Sequence, residues 1–209
     1  MGIKYIENNR TFKLDSKDTS YIISIVDDEN FLGHVYFGKK VLDENLNYLM
    51  RTEEAPFTPS KNNRDRVVFY DSFPFEYPSH GIGDFRESAI KILDKNGHSY
   101  VKLEYKSHNI YKGKKELRNL PSTFGKDDEC TSLEVLCIDK ILNLEVVLIY
   151  SVFEDLDVIT RAVKVKNLSE DSIVIEKVLS SCITLDGIGY DMITLNGGWA
   201  RERHIERKS

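Results

Sequence analysis

The residues best suited to chemistry are spread along the chain instead of gathered into one motif. There are 34 acidic side chains. Acid/base work by paired carboxyls across a sugar ring needs them about 5–9 Å apart, and spacing alone selects no such pair. The five histidines are His34, His80, His98, His108 and His204. None stands in a His-x-x-x-His arrangement, so no metal site is expected. A mutarotase-type enzyme would need a His paired with a Glu on one concave face, and His34 or His108 could serve. There is no Gly-x-Ser-x-Gly elbow and no phosphate-binding loop. Gly81-Ile82-Gly83 is too short for a dinucleotide fingerprint. Cys130, Cys137 and Cys182 are odd in number and contain no Cys-x-x-Cys pair. They read as reduced, partly buried thiols.

Two stretches carry chemistry that strand faces do not explain. The first runs from Thr52 to Gly83 and holds four of the five prolines. Arg51, Glu53, Glu54, Arg64 and Arg66 lie in or beside it. Charged side chains on a loop carried by a rigid scaffold can reach a ligand or another subunit. The second is Asn196–Arg203, with the sole tryptophan, Trp199, beside Arg201, Glu202 and Arg203. Trp and Arg are enriched at interface hot spots, so Trp199, Arg201 and Arg203 are interface candidates. A core-facing Trp is the competing reading.

The elements that must position these groups read as strands. Val101, Leu103 and Tyr105 alternate with Lys102, Glu104 and Lys106, a half-buried strand with one wet face. Asn96-Gly97 between Ile90–Ile92 and that segment predicts a hairpin. Leu133–Ile138 and Leu144–Tyr150 predict a second pair joined through Asp139–Asn143. Val163 and Val165 open a third, turning at Asn167–Asp171 into Ile173–Ile175 and on toward Cys182–Leu185. Strands recurring at this spacing suggest an antiparallel sandwich. A short helix is expected within Val41–Met50, where Leu42, Leu46 and Leu49 fall at helical spacing. No alternating βαβ pattern is present.

Composition bounds the partners. The net charge of −5 gives no basic face for nucleic acid or an anionic membrane. The N-terminus has no apolar segment of a secretory signal, and the longest apolar run, near Val146–Val152, is far below the ~20 residues that span a bilayer. A soluble cytoplasmic protein is the expectation.

Several strings resemble the N-terminal domain of the family-36 glycoside hydrolases, the bacterial α-galactosidases of melibiose and raffinose metabolism. They are Leu32–Lys39, Glu76–Pro78, Gly83–Arg86, His108–Lys114, Leu120–Phe124, Tyr150–Glu154, Asp157–Arg161, Tyr190–Ile193 and Gly198–Arg203. Their order and spacing cover nearly the whole chain. The resemblance implies an all-β fold, an antiparallel β-supersandwich of galactose mutarotase-like type. It also implies that residues 1–209 form an incomplete sandwich, ahead of a (β/α)8 catalytic barrel. The barrel's Lys-Trp-Asp and Cys-Ser-Gly-Gly-Gly motifs are absent here, so no catalytic residue is expected in this chain. The implied chemistry is retaining hydrolysis of terminal α-galactosyl residues, with no cofactor or metal. The implied partners are α-galactosides, the barrel and other subunits of a homo-oligomer, tetrameric at full length.

In such oligomers a loop of the sandwich closes a neighbouring subunit's sugar pocket with one acidic and one basic side chain. By position these match Glu53 and Arg66. The family usually has Asp where Glu53 stands, and the loop between the two is one residue longer here. The alternative from a different class is a free-standing carbohydrate-binding β-sandwich, supported by an aromatic content of 11%.

Overall fold

The computed structural model describes residues 2–26, 28–50, 73–82, 84–117, 119–183, 185 and 189–209. Glu53 and Arg66 therefore lie outside the described residues. Four strands form the first sheet in chain order: β1 (Gly2–Ile6), β2 (Thr11–Asp15), β3 (Thr19–Val26) and β4 (Phe31–Lys39). The second large sheet is also a sequential meander. It contains β6 (Glu104–Lys112), β7 (Thr131–Asp139), β8 (Leu144–Phe153) and β9 (Val158–Asn167). Between them in sequence lies β5 (Ile90–Leu93), which pairs with β10 (Val174–Val178). A separate ribbon is made by β11 (Met192–Gly198) and β12 (Arg201–Lys208). Every strand pairing is antiparallel.

Alternation explains how the two large sheets meet. Phe12 and Leu14 of β2 and Tyr21, Ile23 and Ile25 of β3 face the same core as Val135, Cys137, Val146, Leu148 and Tyr150. This is the aligned packing of a sandwich, with alternate residues interleaving between the sheets. The back of the first sheet is covered too. Ile22, Val26, Phe31 and Val35 join Met50, Phe73 and Phe75 in a second apolar cluster. A β-bulge interrupts the β3–β4 ladder. Ile22 pairs with Tyr36 and Ile23 with His34, leaving Val35 as the extra residue of β4.

Turn chemistry sets the registers. Asp139 accepts the backbone N–H of Ile141 at 2.8 Å and of Leu142 at 2.9 Å, and Asn143 takes the left-handed conformation. This gives the β7–β8 hairpin expected from the sequence. At the β8–β9 turn, Asp157 accepts the Ser16 hydroxyl, the Asp18 N–H at 3.1 Å and the Thr19 hydroxyl at 3.2 Å. One carboxylate thus ties the second sheet to the β2–β3 turn of the first.

Three expectations are corrected. Asn96-Gly97 does make a turn, with Gly97 at φ +81°, but β5 does not pair with Val101–Leu103. Its ladder partner is β10, and the Val101 N–H donates to the His80 carbonyl instead. Likewise β10 leaves β9 to join β5, and Cys182 and Ile183 lie outside any strand. Within Val41–Met50 there is only a single 3₁₀ turn, Asn47–Leu49. Leu42 is exposed there, and the segment is drawn to the sheet through polar contacts. Buried Lys13 donates to the Val41 carbonyl and to Asp43 at 2.7 Å, and to Asp15 at 2.8 Å. Burial alone would lower the Lys13 pKa, but Asp15 and Asp43 outweigh it and raise it.

The partner of Lys13 carries a pH signature. Hydrogen bonds from Lys13 and then Lys4 pull the Asp43 pKa from 3.8 down to about 2. A depressed carboxyl contributes stability that is present above its unfolded pKa and is lost as pH falls through the folded value. Asp43 is half-exposed, so the effect is modest and weakened by salt. Between about pH 4 and pH 2, the urea midpoint of the Asp43→Asn variant should fall less steeply than that of the parent chain. Parallel slopes would remove Asp43 from the acid response.

Candidate functional site

A buried polar cluster is built around Glu76, a carboxylate with no exposed surface. Glu76 follows the short stretch 73–75, which docks on β4. The His34 N–H donates to the Pro74 carbonyl at 2.7 Å, and the Glu76 N–H donates to the Leu32 carbonyl at 2.9 Å. The carboxylate is thereby carried between the two large sheets. Tyr21 of β3 donates its hydroxyl to Oε2 at 2.7 Å. Tyr150 of β8 donates to Oε1 at 2.7 Å, and Arg161 of β9 donates to the same atom at 2.5 Å. The other Arg161 nitrogen donates to the Tyr21 oxygen at 3.1 Å and to the Cys182 carbonyl at 3.0 Å. The guanidinium also lies over both rings, 5.5 Å from Tyr21 and 5.1 Å from Tyr150, a cation–π arrangement.

Burial and the Glu76 charge lock these groups in single protonation states. Burial first, then Glu76, pushes the phenols of Tyr21 and Tyr150 far up. Burial works against the Arg161 cation, but Glu76 outweighs it and raises the pKa. The same two causes raise the thiols of Cys137, to about 12, and of Cys182. Burial and then Glu129 raise Cys130 as well. A thiol held protonated is a poor nucleophile, and Cys130 and Cys137 are buried while Cys182 is half-buried, in line with the reduced, partly buried thiols expected from sequence.

A His–Glu pair does exist here. His34 Nδ1 lies 3.5 Å from Glu76 Oε2. Both side chains are shut away from solvent, and three donors already surround the carboxylate. The neighbouring void between Tyr77, Cys137 and Leu148 measures about 10 Å³, whereas ligand pockets run to about 300 Å³ or more. The pair is enclosed, and its contacts tie elements of both large sheets together. His108 is packed against Tyr5 and Phe12 at 4.4 and 4.8 Å between ring centroids. The Tyr105 hydroxyl is 2.7 Å from its Nδ1. Burial lowers its pKa, which favours a neutral core imidazole. A cavity of about 160 Å³ lies on the opposite face of β8 and β9, where Ile149, Thr160 and Ala162 meet Lys114, Pro121 and Thr123.

The interface candidates are brought together. Trp199 sits in the turn between β11 and β12 and is 96% exposed, so the core-facing reading does not hold. Gly198 pairs with Arg201 across the turn, and Arg203 adopts a left-handed backbone at φ +63°. Every residue of β12 is exposed, and Ile193, Leu195 and Ile205 are exposed as well. Sequence reasoning missed the Glu76 cluster. Glu76–Pro78 and Asp157–Arg161 stand out as strings, but no periodicity links positions so far apart in the chain.

A family model described as the glycosyl hydrolase family 36 N-terminal domain matches residues 30–209. The alpha-galactosidase AgaA of Geobacillus stearothermophilus is 34% identical over 209 residues. That match covers 100% of this chain but 28% of the relative. The solved galactosidase domain of the alpha-galactosidase-sucrose kinase AgaSK superimposes with a TM-score of 0.92 at 33% identity, covering 99% of this chain and 29% of that one. A crystal structure of an AgaA variant in complex with raffinose gives a TM-score of 0.86 at 35% identity, over 95% of this chain and 28% of that one.

The Glu76 cluster makes an ordered prediction. Glu76→Ala leaves the Arg161 charge buried without its partner and should cost about 3–5 kcal/mol. Tyr150→Phe removes one hydrogen bond to a charged acceptor and should cost about 1–3 kcal/mol. Urea unfolding of residues 1–209 checks both values. A Glu76→Ala protein as stable as the parent would show that the carboxylate holds nothing.

Proposed function

Because this chain belongs to the glycosyl hydrolase family 36 N-terminal domains, we propose that it is the non-catalytic N-terminal part of an α-galactosidase. The enzyme would release terminal α-galactosyl residues from raffinose-type oligosaccharides with retention, in the cytoplasm. The observation that carries this reading is the match over the full length of the chain to alpha-galactosidases, of which it spans only 28%. The Glu76–His34 pair supports it from the other side. The one close His–Glu pair among the described residues is sealed in the core, in keeping with a domain whose part in the enzyme is not the bond cleavage itself.

Two roles are proposed for the domain within that enzyme. The first is contact between subunits, with Trp199, Arg201 and Arg203 as the candidate residues. A tryptophan 96% exposed at the tip of a ribbon is the supporting feature, since large exposed aromatics mark association sites. The second is closure of a neighbouring subunit's sugar pocket by Glu53 and Arg66. Their charges suit a galactosyl ring, whose hydroxyls both donate and accept hydrogen bonds.

The isolated 209-residue chain should not hydrolyse a chromogenic α-galactoside. Turnover that persists through purification would place catalysis in this domain. Saturable galactose binding by the isolated chain would favour the carbohydrate-binding module instead. In the full-length polypeptide, Arg66→Ala should raise KM for raffinose about tenfold or more, the loss expected for a hydrogen bond to a charged group. An unchanged KM would exclude Arg66 from the sugar pocket.

A further inference from the structure

The sequence contains two Asn-Gly steps, Asn96-Gly97 and Asn196-Gly197. Asparagine is a chemically labile residue, and most so before glycine, where no Cβ shields the main-chain nitrogen that attacks its side-chain amide. Both steps are exposed, so exposure does not separate them. What separates them is how each asparagine is held. Asn196 is held by side chain and main chain together. Its Nδ2 donates to Thr194 Oγ1 at 3.2 Å and to the Glu206 carboxylate. Asn196 also pairs with His204, closing the run of ladder positions that begins at Met192. The facing backbone crowds Gly197, where a Cβ would be 2.6 Å from the Arg201 carbonyl oxygen and 2.8 Å from Glu202 Cα.

Asn96 is held only through its main chain, and only within its own turn. The Gly97 N–H donates to the Asp94 carbonyl at 3.0 Å, and the Asp94 N–H donates to the His98 carbonyl at 3.1 Å. One oxygen of the Asp94 carboxylate accepts the N–H groups of Asn96 and His98, both at 2.8 Å. The Asn96 side-chain amide has no hydrogen bond among the described residues. Space around Gly97 is open, with nothing within 4 Å of a Cβ placed there. The ladder partner of β5 is β10 and not the chain that follows the turn. Opening the turn therefore unzips no sheet, and local openings of this kind cost far less than global unfolding.

We infer that Asn96 is a site of spontaneous deamidation by water, with Asp94 as the brake on its rate. The Gly97 nitrogen gives up its proton and bonds to Asn96 Cγ. The Cγ–Nδ2 bond breaks, and ammonia leaves with that proton, closing a succinimide ring. Water then opens the ring. Attack at the former side-chain carbonyl returns aspartate, and attack at the main-chain carbonyl gives isoaspartate. Nothing is oxidised or reduced. The turn restrains the first step twice: the attacking nitrogen is committed to the Asp94 carbonyl, and the Asp94 carboxylate pins the amides on either side of it. The product places a second negative charge where Asp94 already carries one. The isoaspartyl form also routes the main chain through Cβ, which lengthens the turn. Both changes act beside Leu93, the end of β5 that pairs with Val174.

The test ages the full-length polypeptide carrying this domain in mildly alkaline buffer, where the attacking nitrogen ionises more readily, and maps its peptides by mass spectrometry. Aspartate and isoaspartate should both appear at position 96. Their rate of appearance should exceed that at Asn196 about tenfold or more, the factor that a hydrogen bond to a charged group such as Glu206 is worth. Asp94→Ala should speed conversion about tenfold, because it removes a charged acceptor from the closed turn. Asn96→Gln, whose longer side chain must close a larger ring, should show no conversion over the same period. An Asn96 that stays intact while a free Ile92–Tyr100 peptide converts overturns the assignment, and so do equal rates at Asn96 and Asn196. Aspartate without isoaspartate overturns the succinimide route. A wild-type rate in Asp94→Ala overturns the brake.

Discussion

One buried carboxylate determines how the parts of this domain can be arranged. Glu76 accepts from Tyr21, Tyr150 and Arg161, and these four residues come from three strands and one irregular stretch. A buried charge is tolerated only when its donors are in place. The first sheet, the second sheet and the 73–79 stretch must therefore reach their final spacing together. Arg161 extends the constraint by donating to the Cys182 carbonyl, which fixes a segment with no ladder of its own. Well-packed apolar groups could match such an ion pair in stability. The cluster adds to the register that the apolar pattern already sets, because a slip of one residue turns Tyr150 and Arg161 to the other face and leaves Glu76 without two of its donors.

How much of this was legible in the sequence depended on how local each interaction is. The β7–β8 pair was readable because its alternation and its turn lie within one stretch and the Asp139 side chain closes the connection. The turn at Asn96-Gly97 was readable too, but its ladder was not. The strand that pairs with β5 lies some 80 residues on, and period-two patterning does not say which strand a strand will join. The leucines near Val41 matched helical spacing by coincidence. There the buried ammonium of Lys13 holds the Val41 carbonyl, and the segment forms only the short turn Asn47–Leu49. Glu76 was the largest omission at the site. A glutamate in an irregular stretch ordinarily reads as solvated, and only the folded sheets show that it is enclosed. Glu53 and Arg66 rest on positional resemblance alone, since they lie outside the described residues.

The domain separates its chemistry by depth. The groups around Glu76 are inside, and burial together with Glu76 keeps the Tyr21 and Tyr150 phenols and the Cys137 thiol protonated. The Cys137 thiol stays protonated to about pH 12, and the phenols beside Glu76 higher still. Groups suited to meeting another surface are outside, above all Trp199 and the apolar residues of the β11–β12 ribbon. A two-stranded ribbon is marginal in water without something packed on it.

The bulge at Val35 has a consequence for how this fold can change over time. It works as a parity switch. Upstream of it β4 points Leu32 and His34 toward the sandwich core, and the extra residue resets the alternation so that Val35 and Tyr36 both face the outer cluster. Deleting Val35 would only remove the bulge and leave the later side chains of β4 on the faces they now occupy, whereas a deletion within the regular stretch from Tyr36 to Lys39 would send every side chain after it to the opposite face. The bulge is thus the one place where this strand can change length without changing which side chains it buries.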